Sequence, residues 1–106
     1  MNPMDIMKNF QNLQSKMGEA QEKMKTLRAE GSSGGDLVKV TIDGTMEVIS
    51  MQIDPIAVDP RDVTMLEELV GAAFTDAVRK MREILQREMS QLTGGMNLPP
   101  GFMGGV

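Results

Sequence analysis

Ile6, Phe10, Leu13, Met17, Ala20, Met24 and Leu27 follow one another at alternating spacings of four and three residues, with mostly polar residues between them. A 3.5-residue apolar period describes a long helix with one narrow stripe, made to lie against another helix. From Ile6 to Leu27 that helix is about 32 Å long at 1.5 Å per residue, too long to be enclosed by the remainder of a small compact domain. The stripe therefore predicts pairing. The helix is expected over residues 3–30, opening on Pro3, which suits a first turn, and stopped by Gly31-Ser32-Ser33-Gly34-Gly35, a flexible joint.

Beyond the joint the apolar period changes to two. In Asp36 to Asp43, Val38, Val40 and Ile42 share one face while Leu37, Lys39 and Thr41 share the other, which predicts a strand. Asp43-Gly44 is a preferred pair for a two-residue hairpin turn, and Thr45 to Ile53 returns as a second strand. The alternation slips phase around Val48 and Ile49, so a bulge or bend is expected there, dividing this segment into two short strands within residues 36–54. A sheet of two or three strands has open edges and little stability alone, and pairing with another subunit would remove both weaknesses.

The Asp54-Pro55 and Asp59-Pro60 turns lead into a second helix over residues 62–92, where Thr64 and Glu67 match a capping box. Leu66, Leu69, Val70, Ala73, Phe74, Ala77, Val78, Met81, Ile84, Leu85, Met89 and Leu92 form a stripe, broad at first to cover the sheet and narrower later. Returning antiparallel to the first helix, it is expected to cover the heptad stripe within one subunit, with Lys16 level with Lys80 and Lys8 near Arg87. The two helices would make an arm, leaving the sheet edge to join subunits. Residues 1–92 thus read as one α+β domain, and residues 93–106, rich in glycine and proline, as a flexible tail.

Residue content restricts the chemistry. No His, Cys, Trp or Tyr occurs, so imidazole bases, thiolate nucleophiles and the usual nitrogen or sulfur zinc ligands are lacking; no catalytic residue, metal ligand or cofactor site is assigned. The serines sit in no nucleophile-elbow motif, and no phosphate-binding glycine loop is present. Absence of cysteine suits a reducing cytosol. No apolar run reaches membrane-spanning length, and MNPMDIMKNF lacks a basic stretch followed by an apolar block, so neither export nor insertion is expected. Of the twelve methionines, Met17, Met24, Met46, Met51, Met65, Met81 and Met89 fall at apolar positions; packing explains them better than a thioether site for Cu(I).

Four segments together resemble the YbaB/EbfC family of bacterial nucleoid-associated proteins: NPMDIMKNFQNLQSKM from Asn2, VKVTIDGTMEV from Val38, IDPIAVDPRDVTMLEELV from Ile53, and LTGGMNLP from Leu92. The resemblance spans nearly the whole chain. It implies an α-β-β-β-α subunit with two long helices flanking a small antiparallel sheet, and a homodimer sharing that sheet. It also implies helical arms held apart like tweezers around double-stranded DNA, with roles in nucleoid organisation and gene regulation in the cytoplasm.

The net charge of −4 has the wrong sign for simple attraction to phosphates. Its distribution matters more. Asp36, Asp43, Glu47, Asp54, Asp59 and Asp62 put the acid in the sheet and turns, against only Lys39 and Arg61 there. The helices are left with Lys16, Lys23, Lys25, Arg28, Arg79, Lys80, Arg82 and Arg87 as the DNA-contacting candidates. Each also has a plainer role. Glu19–Lys23, Asp76–Lys80 and Glu83–Arg87 are spaced for helix-stabilising pairs, and Lys16, Lys23 and Arg28 flank the stripe at positions that choose a partner helix. With no aromatic platforms or base-reading motif, binding is expected to be salt-sensitive and weakly selective, with no small-molecule substrate. The alternative is a prefoldin-like chaperone or protein adaptor, which would expose apolar residues at the arm tips.

Overall fold

The computed structural model describes residues 2–93, with side chains to Gln91. Helix α1 (Pro3–Thr26) leads into strands β1 (Ala29–Ser33), β2 (Val38–Ile42) and β3 (Val48–Ile53), a single 3-10 turn (Pro55–Ala57) and helix α2 (Val63–Thr93). The strands form one antiparallel sheet in the order β1-β2-β3. The α-β-β-β-α order follows the sequence reading, but the third strand comes from a different place. It is β1, made of Ala29-Glu30-Gly31-Ser32-Ser33, the segment read as the end of a helix and a flexible joint.

Helix α1 starts where Asn2 Oδ1 accepts from the Met4 amide, with Pro3 in the first turn. It stops at Thr26, because Leu27 is already extended and its last carbonyls are taken by other donors. The Thr26 hydroxyl donates to Lys23 O at 2.7 Å, the Arg28 guanidinium to Lys25 O at 2.7 Å, and the Gly44 amide to Met24 O at 2.9 Å. Gly44 belongs to the β2–β3 hairpin, so the hairpin caps the helix.

Two residues later the chain lies against α2. A Cβ placed on Gly31 would fall 2.1 Å from Ala73 O and 2.2 Å from Ala77 N, so only glycine permits this approach. Ala29, Val38, Val40, Ile42, Ala73, Ala77 and Met81 form the buried core, with Leu27, Met46, Leu66, Leu69, Val70, Val78, Ile84 and Leu85 around it. The opposite face of the sheet carries Glu30, Ser32, Lys39, Thr41, Ser50 and Gln52 by register.

The β2–β3 hairpin is longer than the two-residue turn expected. Asp43 N donates to Glu47 O and Met46 N to Asp43 O, with Met46 at φ 67, a type of three-residue loop closed by a left-handed residue. Asp43, only 3% exposed, organises the loop by accepting from the Thr45 amide and hydroxyl and the Glu47 amide. The Thr45 hydroxyl, foremost, holds its carboxyl below the usual range. The phase slip at Val48 and Ile49 is a bulge: Thr41 pairs with Ser50 but Ile42 with Val48, leaving Ile49 as the extra residue, and β3 stays one strand. At the start of α2 the cap is Asp62, whose Oδ1 accepts from the Met65 amide at 3.1 Å, in place of the Thr64–Glu67 box.

The largest departure is in the arm. Ser33 lies beside Leu69, Gly31 beside Ala73 and Ala77, and Glu30 beside Lys80, so β1 runs antiparallel along α2. The last turn of α1 is therefore level with Glu88, far along α2, which Lys23 Nζ meets at 2.6 Å. Lys16 is therefore not level with Lys80, and Lys8 is not near Arg87. The N-terminal two-thirds of α1 runs on beyond this contact, and no α1 residue is buried. The stripe that α2 was expected to cover is open, with Ile6, Phe10, Leu13 and Met17 each more than half exposed. Met17, Met51, Met65 and Met89 are likewise exposed in the single chain; of the methionines assigned to packing, only Met81 is fully buried. The tail lies outside the described residues except for Thr93, which ends α2.

Candidate nucleic-acid interface

The basic side chains fall into three environments. Lys23 meets Glu88, and Lys25 meets Glu22 at 3.3 Å. Arg28 is turned back on the end of α1, where its guanidinium donates to Lys25 O and Leu27 O. Lys8, Lys16, Lys39, Arg82 and Arg87 have no ion pair among the described residues. Lys8 thus belongs with the candidates, a residue that charge pairing along the sequence did not single out.

Asp76 organises the third environment. Its Oδ2 accepts from the Ser32 amide at 3.0 Å and meets Lys80 Nζ at 3.2 Å, while Oδ1 accepts from Arg79 Nη2 at 2.6 Å. Lys80 also donates to Glu30 O at 3.1 Å, and Arg79 reaches Glu83 at 3.7 Å, so Glu83 pairs with Arg79 and not with Arg87. Asp76 and Lys80 thus occupy the Ser32 N–H and the Glu30 C=O on the outward side of β1 and cover that edge of the sheet. The Ser32 amide first, then Arg79 and Lys80, hold the Asp76 carboxyl at about 2.

A depressed folded-state pKa stabilises the fold at pH above the ordinary value of 3.8, and the contribution is lost as pH falls through about 2. The stability difference between wild type and Asp76→Asn is therefore expected to be constant above about pH 5 and to shrink as the pH approaches 2. Denaturant titrations of both proteins across that range check this; a pH-independent difference would remove the ionised carboxylate as its cause.

On an ideal helix, Arg79 and Arg82 lie on the side of α2 away from the buried Ala73, Ala77 and Met81, whereas Lys80 and Arg87 share the flank beside β1. On α1, Lys16 and Lys23 share one side of the apolar stripe. The eight candidates are therefore not gathered in one cluster within a single chain. They follow two helices that meet at Lys23 and Glu88 and that also carry Asp5, Glu19, Glu22, Glu67, Glu68, Asp76 and Glu83, while in the connection after the sheet Asp59 pairs with Arg61 and Asp54 caps the 3-10 turn. Along the outer end of α2, Glu83, Gln86, Arg87, Ser90 and Gln91 line an open, shallow groove. Exposed ion pairs such as Lys25–Glu22 are weak, so their cations can exchange a carboxylate for a phosphate at little cost.

Apart from Lys39, the cations without an ion pair among the described residues lie on the two long helices that flank the sheet. Residues 1–96 match the model of the YbaB/EbfC DNA-binding family, and the chain belongs to that family. A nucleoid-associated protein of Rhodospirillum rubrum is 44% identical over 97 residues, covering 92% of this chain and 91% of its own length. One from Paramagnetospirillum magneticum is 47% identical over 98 residues, covering 92% of each, and one from Legionella pneumophila 41% over 101 residues, covering 95% of this chain and 89% of its own. An uncharacterised protein of Helicobacter pylori shares the fold, with a TM-score of 0.70 at 19% identity over 89% of this chain and 99% of that one. No described helix is long and apolar enough to cross a membrane.

Proposed function

We propose that this protein is a nucleoid-associated protein that binds double-stranded DNA without catalysis, as a homodimer in the bacterial cytoplasm. Membership in a DNA-binding family is the observation that carries this reading. The phosphate contacts fall to the basic residues of α1 and outer α2, with Lys8, Lys16, Arg82 and Arg87 already free of carboxylate partners among the described residues. Lacking aromatic platforms, the interface favours backbone contact over base reading, so selectivity is weak and any influence on transcription follows from organising DNA.

The dimer is assigned to the β3 edge. The β1 edge is covered by Asp76 and Lys80, whereas all six residues of β3 are exposed. By register, Val48, Met51 and Ile53 share the face of the buried Ile42, Val40 and Val38, yet α2 does not cover them. Phe74, 37% exposed, lies on the flank of α2 opposite Lys80, beside the same open face. Antiparallel pairing of β3 with a second β3 would satisfy its free backbone groups and bury this surface.

The test is a fluorescence titration of the purified protein with unrelated duplexes at low and moderate salt. Comparable affinities that fall with salt are expected, and no binding at any salt would end the proposal. Met51→Lys is expected to convert the sheet-edge dimer to a smaller species in sedimentation velocity; an unchanged size would remove β3 from the interface. The exposed Ile6, Phe10, Leu13 and Met17 are the observation that favours the chaperone reading. Suppressed aggregation of an unfolded client together with no duplex binding would establish it instead.

A further inference from the structure

We propose that α1 pairs antiparallel with α1 of a second copy of this chain, Phe10 of each copy lying against Leu13 of the other and Ile6 of each against Met17 of the other. These four side chains are 53–60% exposed, on a part of α1 that projects past the end of its contact with α2. A narrow stripe repeating every 3.5 residues is complementary to another helix and leaves a folded strand or loop poorly matched. The sequence after Thr93, GGMNLPPGFMGGV, carries no apolar repeat of 3.5 residues to match the stripe, whereas a second α1 does.

Flanking charges select the direction. So do the helix dipoles: a parallel pair sets the two positive N-terminal ends of α1 side by side, whereas an antiparallel pair sets each beside the negative end of the other. The antiparallel register above places Lys16 beside Asn9 and Met7 beside Gln14, with no like charges opposed. Sliding it by one heptad would set Lys16 against Lys16 and draw in Met24, which is already half-buried at the hairpin. The preferred register uses the free part of the helix alone, and Met7, 63% exposed, widens its apolar seam.

This pairing is independent of DNA binding; only its extension rests on the sheet-edge dimer. The α1 stripe and β3 are separate surfaces, each self-complementary about its own two-fold axis. Alternate use of two such contacts builds an open row of copies.

The native chain has no cysteine, so single-cysteine variants report the contact directly. Mixing Asn9→Cys with Lys16→Cys protein under mild oxidation is expected to give the mixed disulfide, while Asn9→Cys with Gln14→Cys, neighbours only in a parallel pair, gives little. The wild type is expected to sediment as species larger than two chains that grow with concentration, and Leu13→Glu to stop at the dimer with its helical circular dichroism retained. Failure of the Asn9–Lys16 cross-link, or its replacement by the Asn9–Gln14 one, would overturn the pairing. A fall of Leu13→Glu to a monomer would overturn the use of two surfaces. The expected cross-link in a two-chain species insensitive to Met51→Lys would uphold the α1 pairing and remove the sheet-edge dimer.

Discussion

Replacing Gly31 by Val is expected to be among the most damaging single changes in this chain. The new Cβ would stand 2.1 Å from Ala73 O and 2.2 Å from Ala77 N, both backbone atoms of a helix that cannot yield as a side-chain tip does. Relief requires α2 to lift from the sheet, opening the packing of Ala29, Val40, Ile42 and Met81. Overpacking costs about 1–3 kcal/mol where neighbours adjust, so Gly31→Val should lie at or above the upper end. At about 4–8 °C per kcal/mol for a domain of this size, the melting midpoint should fall by more than about 12 °C. Thermal denaturation followed by circular dichroism decides it. Gly31→Ala carries the same clash with a smaller side chain and should fall between; a midpoint within a few degrees of wild type for either would contradict the packing described.

The second large effect concerns DNA. Combined reversal of Arg79, Lys80 and Arg82 to glutamate is expected to lower duplex affinity at least tenfold, about 1.4 kcal/mol, at low salt. It should also flatten the dependence of log affinity on log salt by about 0.9 for each phosphate that the protein no longer neutralises. Unchanged affinity would move the interface off this turn of α2. Because Lys80 also covers the β1 edge, Arg82→Glu alone separates a charge effect from a structural one, since Arg82 has no ion pair among the described residues. Asp76→Asn provides the opposite sign: it frees Arg79 and Lys80 from their carboxylate while an amide oxygen remains for the Ser32 N–H, so DNA should bind more tightly. A triple reversal that weakens binding and an Asp76→Asn that strengthens it would together locate phosphate at this turn.

Both helices, the alternation of β2, the position of the hairpin and the bulge at Ile49 were legible because each is written in a local period or in its interruption. Gly31 to Gly35 was not. Glycine and serine break a helix equally well in a mobile joint and in a strand that must pass close to a helix, and the difference lies in a partner forty residues away. The signal was Ala73 and Ala77, two small residues one helical turn apart that leave space for a strand without side chains at that point. Missing β1 had a further consequence. Five residues running back along α2 place the C-terminal end of α1 out at Glu88, so the helices overlap by only a short length. The candidate cations were legible as residue types along helices. Their partners were not, since Lys23–Glu88 is a tertiary contact and Asp76 divides itself among Arg79, Lys80 and a strand amide.

The cap that the hairpin places on α1 makes the helix a lever. Gly44 N–H holds Met24 O, and a Cβ on Gly44 would come within 2.5 Å of that oxygen, so the fulcrum is set by one residue without a side chain. From there α1 extends for about 32 Å, from Met24 back to Pro3 at about 1.5 Å per residue. A tilt of about ten degrees at the fulcrum therefore sweeps the N-terminus through about 6 Å, close to one pitch of the helix itself. A sub-ångström displacement where hairpin meets helix is magnified into a change of reach at the far end, so the sequence of the β2–β3 loop sets where the N-terminus of α1 lies.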